Sequence, residues 1–251
     1  MISIKNKKEL EIMREAGKRL ACAMDVISSG ITVGLSTAEL DVIADKAIVN
    51  AGGRPAFKGL YGFPCAACIS VNEEVVHGVP KKGRVIKSGD LVSVDIGIEY
   101  MGFYSDMART FAMGEVSDKA KKLMDVTELS LEKAIEVIGP NVSLGDIGHT
   151  IEGIAKANNF HILENYGGHG IGKKPHEDPH IPNRGIPNTG VKLKAGMVLA
   201  VEPMFIVGTG ESFVDTHDKW TVISKNKGLS AHFEHTIAVT NDGCEVFTRI
   251  G

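Results

Sequence analysis

Long apolar runs are absent from this 251-residue chain, and nothing in it approaches the roughly 20 apolar residues that span a bilayer. A helical integral membrane protein is excluded. Net charge is almost absent too, with 28 Lys and Arg against 31 Asp and Glu leaving −3. That balance speaks against bulk nucleic-acid binding, and the short basic clusters (Lys7-Lys8, Lys81-Lys82-Gly83-Arg84, Lys173-Lys174) read as solvated surface. Cysteine is scarce. Of four, only Cys65 and Cys68 form a C-x-x-C pair; Cys22 and Cys244 are isolated, so a zinc ribbon lacks its second pair. A thioredoxin-type pair would open a helix, whereas "CISVNEEVVHG" continues as strand-like residues. Redox pair, half a zinc site and small apolar pocket or core residue all stay open for Cys68, the last fitting best. The first twenty residues carry charges throughout and no apolar stretch of signal-peptide length, so the expected setting is the cytosol.

What is present is a 43% hydrophobic composition, enough for a sizeable core, in a length that allows one large domain or two small ones. Two pairs of segments repeat at one offset. "IKSGDLVSVD" (86–95) resembles "LKAGMVLAVE" (193–202), and "STAELDVIADKAIVNAG" from Ser36 resembles "SLGDIGHTIEGIAKANN" from Ser143; both pairs stand 107 apart (202 − 95 and 143 − 36). The second pair opens on capping signatures, Ser36-x-x-Glu39 and Ser143-x-x-Asp146. Helical spacing follows: Leu40, Ile43, Ala44, Ala47 against Ile147, Ile151, Ile154, Ala155. Gly52-Gly53 and Asn158-Asn159 supply left-handed caps. Each is preceded by another amphipathic helix, from about Lys7 to Ile27 (Leu10, Met13, Leu20, Met24, Ile27 inward) and from Ser117 to Ile138. The expected fold is α+β, duplicated about a pseudo-two-fold axis, with a central antiparallel sheet and helices on one face. Residues 1–251 are expected to form a single domain of two related halves, about 1–113 and 114–251.

Within the first repeat, Leu91 to Tyr100 alternates, with Val92, Val94, Ile96 and Ile98 on one face and Leu91, Ser93, Asp95, Gly97 and Glu99 on the other. Met101-Gly102 reads as a two-residue turn and Phe103 to Phe111 as the return strand. Tyr100 then opposes Phe103, Gly97 opposes Asp106 and Asp95 opposes Ala108. The two aspartates share a face, diagonal neighbours about 7–8 Å apart at the backbone. Either that face meets water or it holds something.

Other candidates stand in short motifs. "YGGHGIGKKPHEDPH" sets His169 between glycines, which let backbone pack close to whatever the imidazole binds, and places His176 seven residues on. "VVHGVP" carries His77. "AHFEHTIAVT" alternates as one strand, with His232, Glu234 and Thr236 on one face and Phe233 and His235 on the other. Glu202 is the repeat's counterpart of Asp95. Four carboxylates (Asp95, Asp106, Glu202, Glu234) and His169 converge only if positive charge joins them, because packed acids repel and take up protons. Two divalent cations would balance four carboxylates. Oxygen-rich ligation with one histidine suits Mn, Fe or Co, with Zn an alternative.

These residues, "HGVP" with Asp95, Asp106, "GGHGIG…PHE", "VEPMF" and "FEHTIAVT", resemble the type I methionine aminopeptidases of the pita-bread metallopeptidase family over nearly the whole chain. The resemblance implies a dinuclear centre in which Asp95 and Asp106 bridge or chelate, Glu234 bridges, and His169 and Glu202 bind one metal. It implies Glu202 as proton shuttle, His176 as donor to the developing oxyanion and His77 as a substrate hydrogen-bonding partner. For the methionine side chain it points to Phe63, Cys68 and Trp220. The implied substrates are peptides and nascent chains with a small second residue; a monomer, transient ribosome contact, no specific nucleic acid and no membrane complete the expectation. Pro175 and Leu60 depart from the aromatic residues common in bacterial relatives, which predicts a more open pocket wall. The short spacing from His176 to Glu202 leaves no room for the helical insertion of type II enzymes. The chain opens on its first helix, which is expected to exclude the N-terminal domain of prolidases, the alternative enzyme class. A pita-bread binding protein without metal ligands is disfavoured by the five ligands present.

Overall fold

The structure, a computed structural model, describes residues 2–250. Its first half runs α1 (Lys7–Gly30), α2 (Thr37–Asn50), β1 (Arg54–Pro55), β2 (Ala67–Val71), β3 (Glu74–Val76), β4 (Leu91–Tyr100) and β5 (Phe103–Ala112). The second runs α3 (Asp118–Val137), α4 (Leu144–Ala157), β6 (His161–Ile162), β7 (Gly167–Gly170), β8 (Glu177–Pro182), β9 (Val198–Val201) and β10 (Met204–Ile206). An excursion with β11 (Ser212–Val214) and β12 (Val222–Ser224) follows, and then β13 (Ser230–His232), β14 (His235–Val239) and β15 (Cys244–Val246).

The 107-residue offset recurs in the backbone. Thr37 and Leu144 open equivalent helices, and Asn50 and Ala157 close them (144 − 37 = 157 − 50). Ser36 bridges to Val85 as Ser143 does to Lys192, and Leu91 and Val198 start equivalent strands. Left-handed residues recur as well: Gly52 (φ 85°) after α2 matches Asn159 (φ 60°) after α4, at the caps the composition indicated.

Strand β4 pairs with β5 in the expected register, Tyr100 with Phe103, Gly97 with Asp106 and Asp95 with Ala108. Met101 (φ 51°) and Gly102 (φ 80°) are both left-handed, the geometry of a type I′ turn whose twist suits a hairpin. Val92, Val94, Ile96 and Ile98 are all fully buried against α1 and α2, beside Leu20, Ile27, Leu40 and Ile48. Each such side chain is worth about 1.5–3 kcal/mol when buried. A one-residue slip would turn all four outward, so the register is strongly specified. A second core joins α3 and α4 to the strands of the second half through Leu123, Leu131, Ile147, Ile151, Leu199 and Phe205.

The other face of the hairpin does not meet water. Ser93 and Asp106 are each 3% exposed, because the second half lies over them. Thr110 Oγ1 accepts the His232 N–H (2.9 Å) and donates to the His232 carbonyl (2.8 Å). Its one proton being spent there, Ser93 donates to it (2.8 Å). Thr236 does the reverse, accepting from Asp106 N–H (2.8 Å) and donating to the Asp106 carbonyl (2.7 Å). Between them, Glu234 N–H donates to the Ala108 carbonyl at 3.0 Å. The two return strands thus meet side by side. Every strand pairing among the described residues is antiparallel, in sheets of three to five strands, with the Ala108–Glu234 bridge joining the two halves.

Candidate metal centre

One cavity of ≈ 160 Å³ is lined by all ten residues singled out in the sequence: Asp95, Asp106, His169, Glu202, Glu234, His77, His176, Phe63, Cys68 and Trp220. Strand β4 contributes Asp95 and β5 contributes Asp106, through the parity set by their turn. Glu202 lies between β9 and β10. Glu234 lies between β13 and β14, where the single strand read from the alternation is interrupted: Phe233 N–H turns to the Pro203 carbonyl and Glu234 N–H to Ala108 of the other half. Among the described residues, donor atoms of Asp106, His169 and Glu234 lie within 4.8 Å of one another, as do those of Glu202, His232 and Glu234.

The four acids form a buried cluster of mutually repelling groups. Burial pushes the Asp106 carboxyl up to about 7. Asp95, Glu202 and Glu234 are raised well above the carboxylate range, first by burial and then by the charge of Asp106. Asp95 Oδ1, Asp106 Oδ1 and Glu234 Oε1 are buried with no hydrogen-bond donor. Acceptors left unpaired in a protein interior cost several kcal/mol unless something positive meets them. A divalent cation meets them directly, so these residues fit one.

His169 is prepared as a ligand. Its Nδ1 lies 2.9 Å from the Gly170 carbonyl, which can only accept, so Nδ1 carries the proton and Nε2 keeps its lone pair. Nε2 faces Glu202 Oε1 at 3.7 Å. Burial lowers His169 and His77 to about 4, the neighbouring His176 adding to both shifts, so both rings are neutral at pH 7. The flanking glycines serve a purpose different from the expected one. A Cβ at Gly168 would stand 2.2 Å from the Ala200 carbonyl oxygen and one at Gly170 2.1 Å from that of Asp178. They let β7 lie tightly between its neighbours rather than admit a ligand.

The apolar wall is built around Phe63, whose ring meets Trp220 edge-on at 5.3 Å. Cys68 lies with them in one cluster. It pairs with Asp95 in register and is a free thiol, pushed well up by burial; Cys65, likewise free, is raised to about 11. Thiols held protonated by burial are poor redox nucleophiles and poor zinc ligands. Trp220 is held by Asp218, which accepts from the Trp220 and Thr221 N–H groups (2.9 Å each) and pairs with Lys81 at 2.8 Å. Leu60 is on the wall as expected, whereas Pro175 is buried away from it. Phe57 and Tyr61 line the cavity without having been singled out; Tyr61 stacks on His176, centroids 6.0 Å apart, and the His176 ring meets His169 edge-on at 4.5 Å. Gly97 admits Phe57, since a Cβ there would stand 2.9 Å from its ring. His232, read on the right strand face but not selected, lies beside Glu202 and Glu234.

Residues 11–241 match the profile of metallopeptidase family M24. The chain is 46% identical to a methionine aminopeptidase of Clostridium perfringens and 46% identical to methionine aminopeptidase 1 of Bacillus subtilis, in both cases over 100% of each chain. Its fold superposes on the methionine aminopeptidase of Thermotoga maritima with a TM-score of 0.97, at 43% identity and full coverage of both chains. The prolidase of Pyrococcus furiosus shares the fold at 24% identity (TM-score 0.80), the match covering 66% of that longer chain. A duplicated scaffold, a cluster of buried acids in need of cations and full-length similarity to metallopeptidases agree, and the chain belongs to metallopeptidase family M24.

Proposed function

We propose that this metallopeptidase removes the N-terminal methionine from peptides and nascent proteins whose second residue is small. The observation that carries the reading is the convergence of four buried carboxylates and one lone-pair imidazole, drawn from both halves, beside a soft apolar wall of Phe63, Cys68 and Trp220. Such a wall suits a thioether. In the proposed assignment Asp95, Asp106, His169, Glu202 and Glu234 hold two divalent ions, drawn from Co, Mn, Fe or Zn. Four carboxylate charges match two dications. When bound, the ions supply Lewis acidity toward the scissile carbonyl and lower the pKa of a water.

The chain's own residues do the rest. Glu202, its carboxyl raised by burial, carries a proton from water to the leaving amine. His176, held against Tyr61 at the cavity mouth, donates to the developing oxyanion, and His77 hydrogen-bonds the substrate. The metal site and its acids receive the free amino terminus. Because both halves contribute ligands, residues 1–113 and 114–251 act as one catalytic domain. The proposed setting is the cytosol, in keeping with four free cysteines, as a monomer in transient contact with the ribosome. No helix among the described residues is long and apolar enough to cross a membrane.

The test is hydrolysis of Met-Ala-x peptides by protein stripped with EDTA and then reloaded. Activity should vanish and return with a divalent ion. A clear preference for x-Pro over Met-Ala peptides would overturn the methionine reading in favour of a prolidase-like enzyme.

A further inference from the structure

His232 is 2% exposed, and its Nε2 has no hydrogen-bond partner among the described residues. That atom faces two acids, Glu202 Oε2 at 3.6 Å and Glu234 Oε2 at 3.9 Å. Its backbone is pinned on both sides by Thr110 of the first half, so the ring has a fixed root. The side chain does not line the cavity that Glu202 and Glu234 line.

Glu202 therefore sits between two imidazoles, with Oε1 toward His169 and Oε2 toward His232. The two rings differ in what they offer. His169 has spent its N–H on the Gly170 carbonyl, so a lone pair meets Oε1 and a cation belongs between them. His232 Nε2 meets two carboxyl groups, and its ring, unlike that of His169, does not line the cavity. Acceptors on that side select the tautomer that carries the proton on Nε2.

We propose that His232 is a positioning residue of the metal centre: its Nε2–H holds Glu202 Oε2, backed by Glu234, and so turns Glu202 Oε1 toward the metal shared with His169. Closing 3.6 Å to a hydrogen bond of about 2.9 Å asks for less than one ångström of carboxylate movement. His232 is thereby a donor to a ligand and not itself a ligand. The inference rests on the metal assignment proposed above.

Two substitutions of similar volume separate the donor from mere filling: His232→Gln keeps an N–H at comparable reach, and His232→Leu does not. Metal-free wild type and both variants are titrated with Co²⁺ by calorimetry, their fold checked by circular dichroism. The Leu variant should bind the tightest Co²⁺ about 10–100-fold more weakly, the scale of losing a partner that orients a ligand, with the Gln variant within a few-fold of wild type. In Co²⁺-loaded wild type, X-ray absorption should count one imidazole nitrogen per two metals, that of His169. Unchanged affinity in the Leu variant, equal losses in both variants, or two coordinated imidazoles in the wild type would each overturn the positioning role. The nitrogen count decides even if the Leu variant fails to fold. A wild type that binds no divalent ion would defeat the metal assignment itself.

Discussion

The two halves share a backbone plan, offset by 107 residues through their helices and first strands, yet they deliver their acids differently. In the first half β4 and β5 run ten residues each without a break, joined by two left-handed residues, and the acids are aspartates standing on regular strand. In the second half the equivalent strands are broken. β9 stops at Val201 and β10 starts at Met204, β13 stops at His232 and β14 starts at His235, and the acids, Glu202 and Glu234, sit in the two gaps. Regular strand holds a short side chain at a set distance from the partner strand. At a break the backbone diverges, and the longer glutamate reaches back to the same point. Between β10 and β13 an excursion from Val207 to Leu229 brings Trp220 to the cavity. One copy of the repeat thus holds its acids on regular strand, the other reaches in from breaks, and both contribute to the apolar wall.

Breaking the regular-strand side should cost most. In the proposed assignment Asp106→Asn removes a ligand charge that an amide cannot replace, and we expect loss of most metal affinity and nearly all activity. Stoichiometric binding of two metals with near-normal turnover would sink this assignment. On the reaching side, Glu202→Gln should lower kcat by about 10²–10⁴, the usual size of a general acid–base contribution, with metal content measured alongside so that ligand loss is not mistaken for lost proton transfer.

The shared centre also sets a pH dependence. The Asp106 carboxyl stands at about 7 in the fold against 3.8 ordinarily, so its protonated form favours the metal-free fold at low pH, and that contribution is lost as pH rises through about 7. A divalent ion competes for the same oxygens and needs them deprotonated. The rise in melting temperature on adding Mn²⁺ should therefore be larger at pH 8 than at pH 6; an equal rise at both would contradict the raised carboxyl.

At the apolar wall the effects shrink. One methylene in an apolar pocket is worth about 1–3 kcal/mol, so norleucine should be a fair first residue and leucine a slow one, read as kcat/KM on peptides sharing one tail. Equal rates for methionine and leucine would remove selectivity from this wall. Smallest of all, Lys81→Ala loses a partly exposed ion pair to Asp218. Such pairs contribute about 0–1 kcal/mol, and a shift in melting temperature beyond a few degrees would mean that Lys81 holds the Trp220 loop alone.

Which features were legible in the sequence follows the same division. Hairpin β4–β5 is local: alternation and a two-residue turn determine its register and the shared face of Asp95 and Asp106. Helix caps at Ser36 and Ser143 are local too. The break before Glu234 is not, because the group that draws its N–H away is the carbonyl of Ala108 in the other half. Flanking glycines announced that His169 sits in a crowded place, but only the fold shows that the crowd is the backbone of Ala200 and Asp178. His232 shared its strand face with Glu234, and a lone histidine on a strand gives no sign of which acids it will meet. The resemblance to methionine aminopeptidases supplied the roles of His77, His176 and the pocket residues, which no spacing contains.

The central claim is that two halves of one chain build one metal centre. Anomalous diffraction from crystals of the protein loaded with Mn²⁺ tests it most directly. The account predicts two peaks about 3.5–4 Å apart, ligated by Asp95 and Asp106 from the first half and by His169, Glu202 and Glu234 from the second. Ions held by the acids of one half alone, with the other half's carboxylates turned away, would contradict it.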